Sequence, residues 1–137
     1  MTTLWQLAFG GSPLSFLLNG GSELKDELEI VQLLGQMRAL LEQHRVWSWT
    51  THFAALETDF EEAITSGEDW KKQEVLYELD DLFGGMGSFN DLVITSQSDP
   101  LLSRQELVKA NDELNKLRRQ LYRALREAQQ EQDSEFR

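Results

Sequence analysis

The sequence predicts an all-α protein, a bundle of four main helices with a glycine-rich turn before the last long helix. Apolar residues recur three and four positions apart through most of residues 23–132, the spacing that places side chains on one helix face. Within residues 23–132 the apolar run that suits a strand is 92–95, and one strand alone makes no sheet, so we expect it to form a further helical turn. The 137 residues suffice for one domain with a buried core.

The chain divides into three predicted parts: an apolar N-terminal segment (residues 1–22), a helical bundle domain (23–132) and a frayed tail (133–137). Gly–Gly–Ser occurs at residues 10–12 and again at 20–22. The N-terminal segment is therefore open to two interpretations, a native arm of the domain or an appended peptide with linkers. In both cases its apolar side chains need a covering surface, in this core or in a second copy.

Capping residues and the spacing of apolar residues predict the bounds of the first three helices. Ser22 precedes a first helix, about 23–43, in which Gly35 marks a close helix crossing, since glycine there lowers stability by about 1 kcal/mol relative to alanine. A second helix runs from about Trp49 or Thr50 to residue 65 and is closed by Gly67. A third spans about 68–83. The second helix is expected to bury one apolar face, formed by Trp49, Phe53, Leu56, Phe60 and Ile64. Its carboxylates are expected on the exposed sides: Glu57, Asp59, Glu61 and Glu62. In the third helix, Trp70 is expected to pack near the start.

The fourth helix begins at a capping box, Ser103 with Glu106, and is expected to reach about residue 132. Its apolar residues form a heptad seam from 107 to 128. We expect the seam to pack inside this bundle, and a homodimer across the same seam is the alternative. The seam consists of Leu107, Ala110, Leu114, Leu117, Leu121, Ala124 and Ala128.

The glycine-rich block before that helix supplies the candidate binding residues. One interpretation is a structural turn in which a glycine takes positive φ and Phe89, Leu92, Val93 and Ile94 re-enter the core. The other is a nest of backbone N–H groups that binds an anion. We favour the turn, because a phosphate loop needs a lysine after its glycines and this neighbourhood is acidic. The candidate residues are Gly84, Gly85, Gly87, Ser88, Asn90 and Asp91.

The same block, FGGMGSFNDL at residues 83–92, resembles the signature F-G-G-M-G-S-x-N-D-L of a family of small bacterial proteins characterised as a domain of unknown function. The resemblance covers Phe83–Leu92, and loosely the helices from Glu23 onward. It implies a bacterial source and a compact helical domain, and it brings no activity with it.

Charge limits the partners that the chain suits. The net charge is −11, which argues against binding to nucleic acid or to an anionic membrane and suits a basic protein partner. The charge is uneven, since residues 101–126 are rich in lysine and arginine, and we expect this basic last helix to dock on the acidic body. The chain has no cysteine and no apolar run of membrane-spanning length, from which we expect a cytoplasmic protein.

Catalytic and metal motifs are weak. His44 and His52 lie near Glu42, Glu57 and Asp59 in sequence, but their spacing fits no known ligand pattern, so we expect no metal and no cofactor. No nucleophile or dinucleotide motif occurs.

Two classes of function follow. The favoured one is a non-enzymatic acidic helical module that binds a basic protein. By analogy with bacterial immunity proteins, we expect it to neutralise that partner. It predicts a flat acidic face. The alternative is a small-molecule or metal-dependent enzyme that uses the Gly84–Asp91 block and nearby carboxylates. It predicts a deep pocket with convergent polar groups.

Overall fold

The computed structural model describes residues 22–84 and 89–135. These residues form four helices: α1 (Ser22–Gln43), α2 (Trp47–Ser66), α3 (Asp69–Leu82) and α4 (Arg104–Glu135). A 3₁₀ turn at Phe89–Asp91 lies between α3 and α4, and the described residues include no strand. The predicted all-α bundle is thereby confirmed. Residues 1–21, 85–88 and 136–137 lie outside the described ranges, and α4 continues as helix to Glu135, inside the stretch predicted as a frayed tail.

The core forms where α1 packs against both α2 and α4, with α3 covering α2 and α4. The heptad seam faces this core, as predicted for packing within one bundle. Its fully buried members Leu114 and Leu121 join the largest buried side chains of α1 and α2. The side chains with no exposed surface include Ile30, Leu34, Met37, Leu41, Phe53, Phe60, Leu79, Phe89, Leu114 and Leu121.

Local chemistry at the helix ends follows the sequence closely. Gly67 has a left-handed backbone (φ 72°), and its N–H donates to the carbonyls of Ala63 and Ile64, which ends α2 as predicted. At the start of α4, Ser103 Oγ accepts the Glu106 N–H at 3.1 Å and the Glu106 carboxylate accepts the Ser103 N–H at 3.2 Å. This reciprocal pair is the predicted capping box.

The crossing of α1 and α2 is built around Gly35. A Cβ atom at Gly35 would lie 2.5 Å from Oε2 of Glu57, so any larger residue would force the carboxylate to move. Arg38 Nε donates to the other oxygen of the same carboxylate at 3.1 Å. The close approach at Gly35 is thus made by the Glu57 side chain. The predicted exposure of Glu57 and Glu61 is wrong, because both side chains are buried. Their positions fall between Phe53, Phe60 and Ile64 on the helix, within the apolar stripe.

A second buried glutamate joins α1 to α3. Lys72 Nζ lies 3.2 Å from Oε1 of Glu27, and both side chains are almost covered. Buried ion pairs of this kind are weak evidence for net stability, since desolvation offsets much of the attraction. They do fix the position of each partner, because removing one leaves the other charge buried.

The last helix docks through its seam rather than through its charges. Within the described ranges one ion pair joins α4 to the acidic body, from Arg126 to Asp80 at 3.6 Å. The predicted electrostatic docking is seen in that pair and in the effect of the Asp91 carboxylate on Arg118. The other basic side chains of α4, apart from the half-buried Arg118, stay exposed: Arg104, Lys109, Lys116, Arg119 and Arg123.

The predicted helical turn at residues 92–95 is wrong. The backbone there is irregular, and the side-chain amide of Asn111 on α4 replaces the missing helical hydrogen bonds. Asn111 Oδ1 accepts the Ile94 N–H at 2.8 Å, and its Nδ2 donates to the Ile94 carbonyl at 2.9 Å. Ile94 is buried, whereas Val93 points to solvent instead of into the predicted core position.

The burial of the seam predicts a large effect of shortening one of its leucines. Leu117 is buried, so Leu117→Ala should lower the free energy of unfolding by about 2–5 kcal/mol through lost transfer energy and a residual cavity. Val108→Ala, on the exposed face of α4, is the control and should change it by less than about 0.5 kcal/mol. Equal unfolding midpoints in urea for the two variants would contradict the docking of α4 through this seam.

The Gly35 contact predicts a substitution whose sign depends on Glu57. Gly35→Ala should destabilise the protein by about 1–2 kcal/mol, because displacing the buried carboxylate outweighs a helix-propensity gain of about 1 kcal/mol. In a Glu57→Ala background the obstacle is absent, and Gly35→Ala should then stabilise by about 1 kcal/mol. A double-mutant cycle by urea unfolding measures both. The same sign in both backgrounds would show that the two residues do not compete for space.

Candidate functional site

The structure places the glycine block directly after α3. The helix ends at Leu82, and the Gly84 N–H donates to the carbonyl of Asp81 at 3.2 Å. Gly84 does not take the positive φ proposed for the block, since Gly67 is the glycine with that backbone in the described ranges. Gly85, Gly87 and Ser88 lie outside those ranges, and the left-handed glycine stays a prediction for them.

The chain resumes at Phe89, which is buried and anchors the far side of the block. Its ring lies 4.8 Å from Phe53, 5.2 Å from Trp49 and 6.1 Å from Phe83, measured between centroids. The Asn90 side chain bonds the backbone of the same block. Its Nδ2 donates to the Phe83 carbonyl at 2.7 Å and ties the two ends of the block together.

Arg118 on α4 holds this turn from the other side. Its Nη1 donates to the carbonyls of Phe89 at 2.7 Å, Leu92 at 2.9 Å and Asn90 at 3.1 Å. Its Nη2 donates to Oδ1 of Asn115, and the guanidinium lies 5.6 Å from the Phe89 ring. Burial lowers the pKa of Arg118, and the Asp91 carboxylate acts in the opposite direction. The contacts fix both the turn and the guanidinium.

A cleft of about 480 Å³ opens beside this guanidinium, and we call it the Arg118 cleft. It lies between the end of α3, the 3₁₀ turn and the middle of α4. Of the predicted binding residues, Asn90 lines it. The residues that line it are Phe83, Asn90, Asn115, Arg118, Arg119 and Tyr122.

A second surface feature, which we call the acidic groove, lies between the outer faces of α2 and α3 and has a volume of about 220 Å³. Its lining includes Trp70, which was predicted to pack and is instead 62% exposed. The Lys71 ammonium lies 5.6 Å from the Trp70 ring and 3.4 Å from the Glu68 carboxylate. Four carboxylates line the groove around the indole: Asp59, Glu62, Glu74 and Glu78.

The groove has an excess of negative charge, because its lining holds four carboxylates and one cation, Lys71. Two other cations, on α1 and α3, pair with carboxylates that do not line the groove. Arg38 is paired with Glu57 and Glu42, and Lys72 with Glu27 and Asp69. In the part of the chain that the structure describes, no side-chain hydrogen bond or ion pair involves the four groove carboxylates. An opposite charge brought by a partner would therefore find them available.

The two histidines do not come together as metal ligands. His44 is buried and its Nδ1 lies 3.3 Å from Oδ2 of Asp99, which ties the end of α1 to the loop before α4. His52 is exposed and packs edge-on to Trp49 at 5.8 Å between centroids. Three carboxylates that were not predicted, of Asp26, Glu29 and Glu127, do approach one another, but no second feature marks them as a site.

Comparison with known proteins gives one partial match. Residues 42–101 match a protein family described as a domain of unknown function (DUF6966). The matched range, less than half of the chain, contains α2, α3 and the glycine block. Neither the curated proteins nor the solved structures gave a significant match. No helix in the described ranges has both the length and the apolar character needed to cross a membrane.

The sequence located the glycine block, but Arg118, Asn115 and Trp70 were not among the predicted site residues. Arg118 reaches carbonyls more than 25 positions away in the chain, a relation that no local pattern carries. A signal for Trp70 did exist, since it lies four residues before Glu74 and shares that charged helix face.

The hydrogen bonds of Arg118 predict its effect on stability. Arg118→Gln should lower the free energy of unfolding by about 1.5–3 kcal/mol, because the carbonyls of the turn lose a charged donor. Backbone amide exchange at Leu92 should accelerate, since its N–H bonds to the Phe89 carbonyl within the same turn. Lys116→Gln, an exposed cation of the same helix, is the control. Equal stability and equal exchange rates for both variants would show that Arg118 does not hold the turn.

Proposed function

We propose that this protein is a non-enzymatic acidic helical module that binds a basic protein partner through the acidic groove. The observation that carries the proposal is the exposed indole of Trp70 in a groove with four carboxylates that, among the described residues, make no side-chain hydrogen bond or ion pair. Tryptophan dominates binding energy at many protein interfaces, and a surrounding charge of one sign steers an oppositely charged partner.

The intramolecular contact of Lys71 supports the kind of group expected from the partner. A lysine ammonium already lies near the Trp70 ring, as cation–π attraction favours. Lysine and arginine side chains of a basic partner carry the same chemistry, and the groove carboxylates add charge-assisted hydrogen bonds. The groove belongs to the range matched by the family, so relatives that share this range offer a place to look for the same surface.

Further attributes of the module are proposed from composition and from the resemblance of the glycine block. We propose a bacterial, cytoplasmic protein that neutralises its basic partner in the manner of an immunity protein, and we propose that Phe83–Leu92 is the signature of the matched family. The net charge of −11 and the absence of cysteine are consistent with these proposals, and with a partner that is neither nucleic acid nor membrane.

Self-association is a separate proposal. The seam at 107–128 is buried by the domain's own helices, so a homodimer across it would require α4 to leave the bundle. Residues 1–22 are the other segment predicted to bridge two copies.

The enzyme alternative, which uses the Gly84–Asp91 block and nearby carboxylates, is less well supported. A cleft with convergent polar groups does adjoin the block. Among its described lining residues, however, there is no carboxylate or histidine to transfer a proton or bind a metal. General acid–base chemistry would have to come from residues outside that lining.

The proposal predicts that Trp70 dominates the affinity. The immobilised protein should capture a basic protein from a lysate of the host, and calorimetry with that purified partner should show about a tenfold or greater loss for Trp70→Ala. Trp47→Ala, which removes an equally exposed tryptophan at the start of α2, should change the affinity less than twofold.

A charge control separates this surface from the net charge of the protein. Glu62→Lys in the groove should weaken binding strongly, whereas Asp112→Lys, an exposed site on α4, alters the net charge equally and should have little effect. Equal losses for both variants would reduce the interaction to non-specific attraction.

A further inference from the structure

The Arg118 cleft has a charge opposite to that of the acidic groove. On a chain of net charge −11, its lining holds two arginines, two asparagines and two aromatic rings. Asn115, Arg118, Arg119 and Tyr122 lie three and four positions apart on α4, so one face of that helix supplies them together. The cleft is separate from the acidic groove and plays no part in the function proposed above.

The cleft is organised in advance of any ligand. The guanidinium of Arg118 is held by three backbone carbonyls, which are neutral groups and leave its positive charge in place. Because Asn115 Oδ1 accepts from Arg118, the Nδ2 group of that side chain keeps its two N–H donors. A preorganised donor loses little conformational freedom when an anion binds.

Arg119 is the available cation of the cleft. Its side chain is exposed, and in the described ranges it makes no ion pair and no side-chain hydrogen bond. The other charges nearby already balance one another in part, since Arg126 pairs with Asp80 and the Asp91 carboxylate acts on Arg118. A guanidinium with five free donors in a fixed plane matches the oxygens of a carboxylate or phosphate.

One wall of the cleft is aromatic. The rings of Phe83 and Tyr122 meet edge to face with their centroids 5.3 Å apart, and Arg126 lies over the Tyr122 ring at 4.9 Å. Such a wall offers apolar surface to a flat organic group beside the charged end of the cleft. The combination of charge and apolar wall distinguishes this cleft from a simple inorganic anion site.

We propose that the Arg118 cleft binds a small organic oxyanion. Its carboxylate or phosphate is bound by Arg119 and the Asn115 amide in the field of Arg118, and its planar apolar part lies against Phe83 and Tyr122. The recognised chemistry is the oxyanion on a flat apolar group, whether a carboxylic acid or a phosphate monoester carries it.

The test is a titration of the ¹⁵N-labelled full chain, followed by NMR. Phenyl phosphate and benzoate are the probes, and benzyl alcohol and inorganic phosphate are the comparison compounds. The aromatic anions should give saturable shifts of the Asn90 and Asn115 side-chain amides. The neutral alcohol should give none, and inorganic phosphate should bind at least about tenfold more weakly than phenyl phosphate.

Matched variants decide whether the cleft is responsible. Arg119→Gln should weaken phenyl phosphate binding about tenfold or more, whereas Arg123→Gln removes the same charge from an exposed site of the same helix and should change it less than twofold. Both variants should keep the wild-type circular dichroism spectrum. The proposal is overturned by an absence of saturable shifts, by equal losses in the two variants, or by inorganic phosphate binding as tightly as phenyl phosphate.

Discussion

The architecture depends on a buried carboxylate at the crossing of α1 and α2. Glu57 lies against the bare backbone of Gly35 and is paired with Arg38. The contact needs all three residues, since a larger residue at 35 would displace the carboxylate and loss of Arg38 would leave its charge buried without that partner. With Glu57 fixed inward, Asp59 and Glu62 on the same helix are directed to the outer surface.

The small number of basic residues in the acidic body also determines the charge of its surface. The acidic body of the chain has few basic residues, and two of them, Arg38 and Lys72, bond the buried carboxylates of Glu57 and Glu27. The outer faces of α2 and α3 are consequently more negative than composition alone indicates. The cations of α4 remain largely at the surface, so one small domain presents an acidic groove and a separate cationic cleft. These two surfaces suit ligands of opposite charge.

Much of the fold was predictable because its signals are local. Helical spacing, the Ser103–Glu106 box and the left-handed Gly67 each depend on residues within a few positions, and the structure confirms them. The crossing at Gly35 was also predictable, since an interior glycine suggests close approach. The inward position of Glu57 had a signal too, because it lies four residues after Phe53 and three before Phe60.

The candidate sites were less predictable because they rest on contacts between distant residues. Residues 92–95 avoid the helix because Asn111, 17 positions from Ile94, satisfies its backbone groups. Arg118 joins the 3₁₀ turn in the same way. Of the predicted binding residues, Asn90 reaches the cleft, but through a donor role that the sequence did not indicate. The exposed Trp70 is the exception, since Glu74, four positions on along the same helix, was a local signal for its charged face.

We propose that a basic protein binds to the outer face of α2 and α3. Hydrogen-exchange mass spectrometry of the complex with the captured partner tests it most directly, because it maps the contact without any substitution. The account predicts slowed exchange in peptides that cover residues 59–78, with exchange in α4 unchanged. Protection along residues 104–126 and none over 59–78 would contradict it.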